Sequence, residues 1–415
     1  MAASLPSLKE SPQRWWLAML LVTGMIFCYA QRGTLSVATP FMIKELGLTR
    51  AQMGILLSAF SWCYSFMQVP AGWVVDRFGV RRAYAAGFVF WSLVSAMTGM
   101  ARNLAALIAV RVLMGVGQAV AFPASARAVA NWFHDKERGT VSATYLTGVR
   151  LGQALIGWLG AAFLAAQGWE LFFLVAGIVP LVWILPWMGF LRRWEPATAA
   201  PRAAARPGAS FFHSLALLRR RTVLGIFLGF FAFDYVWFLY VYWLPGYLSL
   251  ERKFGPREMG IYSSVPYVVM SAVILASGFL SDWLIRVGFS ETRVRKTLIS
   301  IGLAVGCLIV PAGLVEDNMT AVWLLTLSLC GLGICSPNTW TLTQAVCSKN
   351  IVGTVSGIQN FGGNVGGIIA PALTGYIAHK TGSFALALSI AGVILVFGIF
   401  CYCLLISKKV EVEES

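Results

Sequence analysis

The sequence predicts an all-α membrane protein with twelve transmembrane helices in two pseudo-symmetric six-helix bundles. Three observations carry that prediction. Of 415 residues, 58% are hydrophobic and only 12% charged, with a mean hydropathy of +0.74, a balance that soluble domains do not show. Apolar runs of about 20 residues, the length that crosses a bilayer as a helix, recur along the chain between short charged loops. The two halves of the chain also repeat each other.

In order, the first apolar run lies near 15–38, after a polar stretch of thirteen residues, "MAASLPSLKESPQ", that holds no apolar run. It is long enough to span and remain, so no cleaved leader is expected. The second lies near 51–75 and ends in "GWVVDRFGVRR", residues 72–82, whose turn glycine and basic cluster mark a loop. The next runs are near 82–101, 104–129, 140–165 and 169–191. The stretch 192–221, "RRWEPATAAPRAAARPGASFFHSLALLRRR", is basic, rich in Pro and Ala, and lacks an apolar run. It is expected to be a cytoplasmic linker between a bundle of residues 1–191 and one of residues 222–415. Further runs fall near 222–246, 258–283, 297–315, 320–345, 352–377 and 382–407.

The repeat shows in paired motifs. "GFLSDWLIRVGFSETRVRK", residues 278–296, follows the eighth run as 72–82 follows the second: Gly, then Asp four residues on, a turn Gly and a basic cluster. "GTVSATYLTGVRLG" opens the fifth run at Gly139, and "GTVSGIQNFGGNVG" opens the eleventh at Gly353. Gly148/Gly362 and Gly152/Gly366 keep one offset of 214 residues. Such repeats mark transporters that rock one bundle against another around a midplane site.

With the N-terminus in the cytoplasm, most Lys and Arg outside the helices fall in cytoplasmic segments, so both termini are expected there. The net charge of +15 is thus a matter of topology, and no nucleic-acid partner is expected. The eight cysteines fall in or at the ends of helices without metal-ligand spacing and are expected to pack. No metal or other cofactor is implied.

Charge inside the membrane is a functional signal, because each buried ion costs several kcal/mol. Four arginines fall within the helices, Arg32, Arg111, Arg127 and Arg150, against a single carboxylate, Asp234. At about 1.5 Å per residue, Arg150 and Asp234 lie roughly 16 and 18 Å into their helices, near the middle of a core about 30 Å thick. The cationic surplus suits an anion, and a guanidinium offers a carboxylate or phosphate two parallel hydrogen bonds. Arg32 is therefore expected to help hold an anionic substrate. Arg150, between Gly148 and Gly152, is expected to face a cavity. Arg127 is expected to satisfy helix-end carbonyls or pair with Asp135 or Glu137. Tyr29, one turn before Arg32, is a candidate partner at the site. Trp237, Tyr240, Asn338, Thr339 and Trp340 are candidates either for lining it or for packing, and Asn364 for lining it. Gly362, Gly363, Gly366 and Gly367 read as helix-contact residues.

Gly72, Asp76, Arg77, Gly79, Arg81 and Arg82 resemble the loop motif of the major facilitator superfamily, and "RVLMGVGQAVAFP", Arg111 to Pro123, resembles its fourth-helix motif. More narrowly, "CYAQRGTLSVA", "FSWCYSFMQVPAGW", "NWFHDKERG", "YWLPGYL" and "NFGGNVGGIIAP" are similar to the anion:cation symporter family, which includes bacterial galactonate and hexuronate carriers and vesicular organic-anion transporters. The resemblance covers nearly the whole chain. It implies that Arg32 contacts a substrate carboxylate, that Tyr64 and Asn360 touch substrate, and that Arg111 has a coupling or substrate role. The loop motifs around Asp76, Arg77, Arg81 and Asp282 are implied to be cytoplasmic latches. It further implies a monomer, and a bacterial inner membrane suits the compact loops.

The proton-coupled relatives carry an acid just before the first-helix arginine and another in the fourth-helix motif; here those positions are Gln31 and Gln118, which cannot titrate. His134, His213 and His379 offer no midplane substitute. Asp234 is left as the candidate coupling acid, with proton as co-substrate; the alternatives are a fixed counter-ion in an exchange or potential-driven carrier, or sodium coupling. The expected activity is secondary transport of a small organic anion, a sugar-acid-like carboxylate, with phosphorylated anions or a transporter-like sensor as other readings. No enzyme is expected: no helix places a nucleophile beside a base, and no Walker-type loop is present.

Overall fold

In a computed structural model, the residues described are 11–194, 216–347 and 351–406. They are helical almost throughout. The helices are α1 (Arg14–Leu46), α2 (Arg50–Phe78), α3 (Val80–Met97), α4 (Leu104–Gln118), α5 (Ala121–Trp132), α6 (Asp135–Ile178) and α7 (Ile184–Trp194). They continue as α8 (Arg221–Leu250), α9 (Pro256–Arg286), α10 (Glu291–Gly306), α11 (Ile309–Leu314), α12 (Asn318–Val346), α13 (Val352–Thr381) and α14 (Ala385–Phe400).

Local chemistry sets the ends and breaks. α1 stops at Gly47 and α13 at Gly382, both in the left-handed region with φ of 64° and 74°, where glycine escapes the Cβ clash. Asn103 and Asp317 cap α4 and α12 by accepting the backbone N–H three residues on. The fourth apolar run divides into α4 and α5 at Ala119–Val120. Pro123 has no N–H for the Ala119 carbonyl, and its ring crowds that carbonyl. α6 continues through both the fifth and sixth runs, with the turn between them reduced to Gly168 at φ 79°.

Among the described residues, eight helical segments are long and apolar enough to cross a membrane, and one of these, Thr140–Trp194, has 55 residues, enough for two crossings. With α1, α2 and α13, each interrupted by polar or charged residues, the crossings reach twelve. Large side chains such as Trp158, Phe279 and Val393 are exposed, as expected where lipid is the solvent. The eight cysteines are unpaired thiols, four of them buried.

The chain divides into two compact units, Met1–Gly47 with Ala59–Pro207, and Leu48–Ser58 with Gly208–Ser415. The expected linker falls largely outside the described residues. In the first unit α1 lies along α6, and in the second α8 lies along α13. Small residues make both approaches possible. A Cβ at Gly148 would sit 2.6 Å from the Val22 carbonyl oxygen, and one at Gly152 2.5 Å from that of Ile26. In the second unit, a Cβ at Gly362 would sit 2.7 Å from the Phe227 carbonyl oxygen and one at Gly366 3.1 Å from that of Phe231. Val22 to Phe227 and Ile26 to Phe231 are the same step of 205 residues. The internal repeat is therefore a repeat of one helix pair, contact for contact. Gly363 and Gly367 also sit at helix contacts, against α8.

Candidate functional site

Arg32 is the centre of the first unit's polar interior. It lies in the middle of α1 and is only 2% exposed. Its guanidinium carbon is 4.4 Å from the Tyr29 ring centroid, 4.4 Å from Phe60 and 4.6 Å from Tyr64. Tyr29 reaches it from one turn earlier on the same helix. Phe60 and Tyr64, four residues apart on α2, stack on each other at 5.0 Å and act as one surface. Such contacts offset part of the cost of burying the charge. Rings over the faces of a planar guanidinium leave its N–H edge for hydrogen bonds. Nε donates to Gln118 Oε1 at 3.3 Å, and Nη1 to the Tyr29 hydroxyl at 3.3 Å.

The two glutamines that stand where an acid was expected are held as amides. Trp91 Nε1–H, which can only donate, points at Gln31 Oε1 at 2.7 Å. That fixes Nε2 toward the Ala176 carbonyl and Ser92 Oγ, at 3.0 and 3.1 Å. Gln118 is fixed in the same way: its oxygen accepts from Arg32 and its nitrogen donates to the Cys28 carbonyl at 3.1 Å. Both nitrogens face a carbonyl oxygen, which a carboxylate could not serve.

Arg150 is half-buried on α6, within electrostatic reach of Tyr29. Arg111 is buried, donating to Met114 Sδ at 3.5 Å with Phe173 beside it. Arg127 pairs with Asp76 at 3.5 Å. Of its two expected partners, Glu137 is bound by Arg14, and the Asp135 side chain lies outside the described residues. Arg77 stacks over Trp73 and Phe78, while Arg81 is buried and its carbonyl accepts from Trp187.

In the second unit, the Asp234 carboxylate lies directly against Gly363 of α13, in space that any Cβ there would occupy. One turn on, Trp237 meets the Tyr267 ring edge-on at 5.9 Å. Asn364 donates to the Asn360 carbonyl, and Trp340 packs on Phe230. Three further candidates make bonds within the unit, Thr339 to its own helix. The Tyr240 hydroxyl donates to the Leu325 carbonyl, and Thr339 to that of Ser336. Asn338 bonds Ser277 and accepts from Arg295, which also contacts Ser281, Asp282 and Glu291. Sequence reasoning missed Phe60; its spacing of four from Tyr64 was the available signal. Arg295 was missed as well, being one of several basic residues in a loop cluster.

A family profile described as the Major Facilitator Superfamily matches residues 21–371. The chain belongs to that superfamily. This major facilitator chain is 32% identical over 406 residues to the "Probable L-galactonate transporter" of Escherichia coli K12, covering 95% of this chain and 89% of that protein. It is likewise 32% identical to the "Hexuronate transporter" of Bacillus subtilis 168, over 92% of each. The "Probable galactarate/D-glucarate transporter GarP" of E. coli K12 is 30% identical over 97% of each. A crystal structure of a bacterial homologue of the human lysosomal transporter Spinster superposes with a TM-score of 0.77 at 18% identity, covering 95% of this chain and 97% of that one. At that identity it shares the fold.

Proposed function

We propose that this protein is a secondary transporter of a small organic anion, a sugar-acid carboxylate, working by alternating access. The observation that carries the reading is Arg32: a permanent cation deep in a spanning helix, held in one orientation by three rings and an amide. Such a group is suited to receive a carboxylate in a bidentate fork. The relatives that transport galactonate, hexuronate and galactarate or glucarate support the carboxylate class. Tyr29, Tyr64 and Arg150 would share the anion with Arg32, and Trp237, Asn360, Asn364 and Trp340 would contact the rest of the substrate. Residues 1–191 and 222–415 would form the two bundles of a monomer, joined by the linker 192–221. Both termini would face the cytoplasm of a bacterial inner membrane, and the pairs Asp76–Arg127 and Asp282–Arg295 would latch the loops.

Two accounts of the drive follow. In one, Asp234 takes up a proton as the anion binds, making the protein a symporter. The other is exchange or potential-driven uptake, favoured by the locked amides of Gln31 and Gln118. The test is uptake of radiolabelled galactonate into proteoliposomes, with and without an imposed pH gradient. Gradient-stimulated uptake that Asp234→Asn abolishes, with counterflow retained, is the symport result. Uptake indifferent to the gradient leaves exchange or potential-driven uptake. Loss of both uptake and counterflow in Arg32→Gln is expected on either account, and full activity of that variant would overturn the site.

A further inference from the structure

The repeat of one helix pair allows the two units to be compared position by position. The step of 205 residues that carries Val22 onto Phe227 also carries Tyr29 onto Asp234 and Arg32 onto Trp237. The step of 214 that carries Gly148 onto Gly362 carries Arg150 onto Asn364. At both of these positions, where the first pair has a cation, the second has a neutral side chain able to stack or to hydrogen-bond. Where the first has a phenol, the second has a carboxylate. The carboxylate is accommodated by a further exchange at the same step: Val149 of the first pair becomes Gly363, whose missing Cβ is the space Asp234 fills. Arg32, Arg111, Arg127 and Arg150 lie in the first half of the chain and Asp234 in the second, where the buried Arg295 of α10 already pairs with Asp282.

From this asymmetry we infer that the substrate has one anionic end only, and that its other end is hydroxylated and uncharged. This rests on the anion-transport reading above but on neither account of the drive. A second carboxylate brought to the α8–α13 pair would lose its water with no cation on those helices' equivalent positions to replace it. That holds whether Asp234 is ionised or protonated, since neither form is positive. Hydroxyl groups are suited to the same surface. A carboxyl and an amide accept and donate to them, and an indole face packs on the C–H side of a polyol chain. Of the substrate chemistries named for the relatives, galactonate and hexuronate fit this description, and the dicarboxylates galactarate and glucarate do not.

The experiment compares three six-carbon acids as competitors of radiolabelled galactonate uptake by the full-length protein in proteoliposomes. They are unlabelled galactonate, galactarate, and galactarate with one carboxylate converted to its amide. Galactonate and the monoamide are expected to compete alike, and galactarate roughly tenfold or more weakly. Equal competition by galactarate would overturn the inference while leaving anion transport intact. Weak competition by both galactarate and the monoamide would also overturn it, because bulk rather than charge would then be excluded. Absence of uptake of both radiolabelled galactonate and a radiolabelled hexuronate by folded protein would remove the parent reading and this one with it. Asn364→Arg, which gives the second pair the cation that the first carries at Arg150, is expected to gain galactarate. A variant that keeps galactonate uptake without that gain would place the discrimination elsewhere.

Discussion

At the scale of single residues, what matters is which buried polar group has a fixed partner. Arg32→Lys keeps the charge but loses the planar fork and its ring contacts. Hydrogen bonds to charged groups contribute about 1.5–3 kcal/mol each, so galactonate binding should weaken by roughly tenfold to a hundredfold, measured as the concentration that half-saturates counterflow. Retained affinity would show that charge alone suffices. The glutamines separate stability from function. In Gln31→Glu, a carboxylate would face the Ala176 carbonyl in a site 1% exposed, at a cost of at least about 2 kcal/mol. It should melt well below wild type. Gln118→Glu also loses a donor, to the Cys28 carbonyl, but gains an ion pair with Arg32. It should melt closer to wild type and bind galactonate more weakly, because the new acid competes for the same guanidinium. Equal melting of the two variants would contradict the hydrogen-bond assignment. Arg32 could be picked out from sequence because an arginine in an apolar run is conspicuous. Its cage could not, because Phe60 and Gln118 reach it only through helix packing.

At the scale of elements, the apolar runs were legible because a membrane helix must satisfy its own backbone and present apolar side chains to lipid. The turn at Gly168 was legible too, falling in the gap between the fifth and sixth runs, whereas the break at Ala119–Val120 was not, since it turns on a proline's missing N–H rather than on hydropathy. The paired glycines could be read as helix contacts, and the structure supplies their partners. A consequence follows for four positions. Gly152→Ala and Gly366→Ala would press a methyl to 2.5 Å and 2.8 Å from the backbone of the neighbouring helix, costing about 1–3 kcal/mol through overpacking. Gly363→Ala would also displace the Asp234 carboxylate, so it should impair transport beyond its effect on stability. Gly278→Ala is the control. Nothing lies within 4 Å of its added carbon, and replacing a helical glycine should leave stability unchanged or raise it by up to about 1 kcal/mol. Melting temperatures of the four variants in one detergent check the order, and a destabilised Gly278→Ala would show that the contacts are not what sets it.

At the scale of the whole molecule, two carboxylates outside the membrane, one tying α6 to α1 and one capping α12, contribute to the acid limit, beside Glu170, held low by Arg102. Glu137, at the start of α6, accepts from Arg14 at the start of α1, from Nη2 at 2.7 Å and Nε at 3.1 Å. Those bonds hold its carboxyl below the ordinary glutamate range, with the His134 backbone N–H adding to the effect. Asp317 caps α12, and its bonds with the Thr320 hydroxyl and backbone N–H hold its carboxyl low as well. Both groups are more acidic folded than unfolded, so folding favours their ionised forms. Their contribution is complete above the unfolded values, about 4.3 for Glu and 3.9 for Asp, and is lost as pH falls through the lower folded values. The melting temperature in detergent should therefore hold steady from neutral pH to about pH 5 and then drop on acidification. Arg14→Gln and Asp317→Ala should each start lower at neutral pH and lose part of that acid-induced drop; variants that keep the full wild-type drop would exclude these carboxylates as its cause. In the proposed orientation Glu137 is cytoplasmic and Asp317 external, so the two can also be titrated apart. In right-side-out vesicles acidified only from outside, Asp317→Ala should alter the response and Arg14→Gln should not. The reverse pattern would invert the assigned topology.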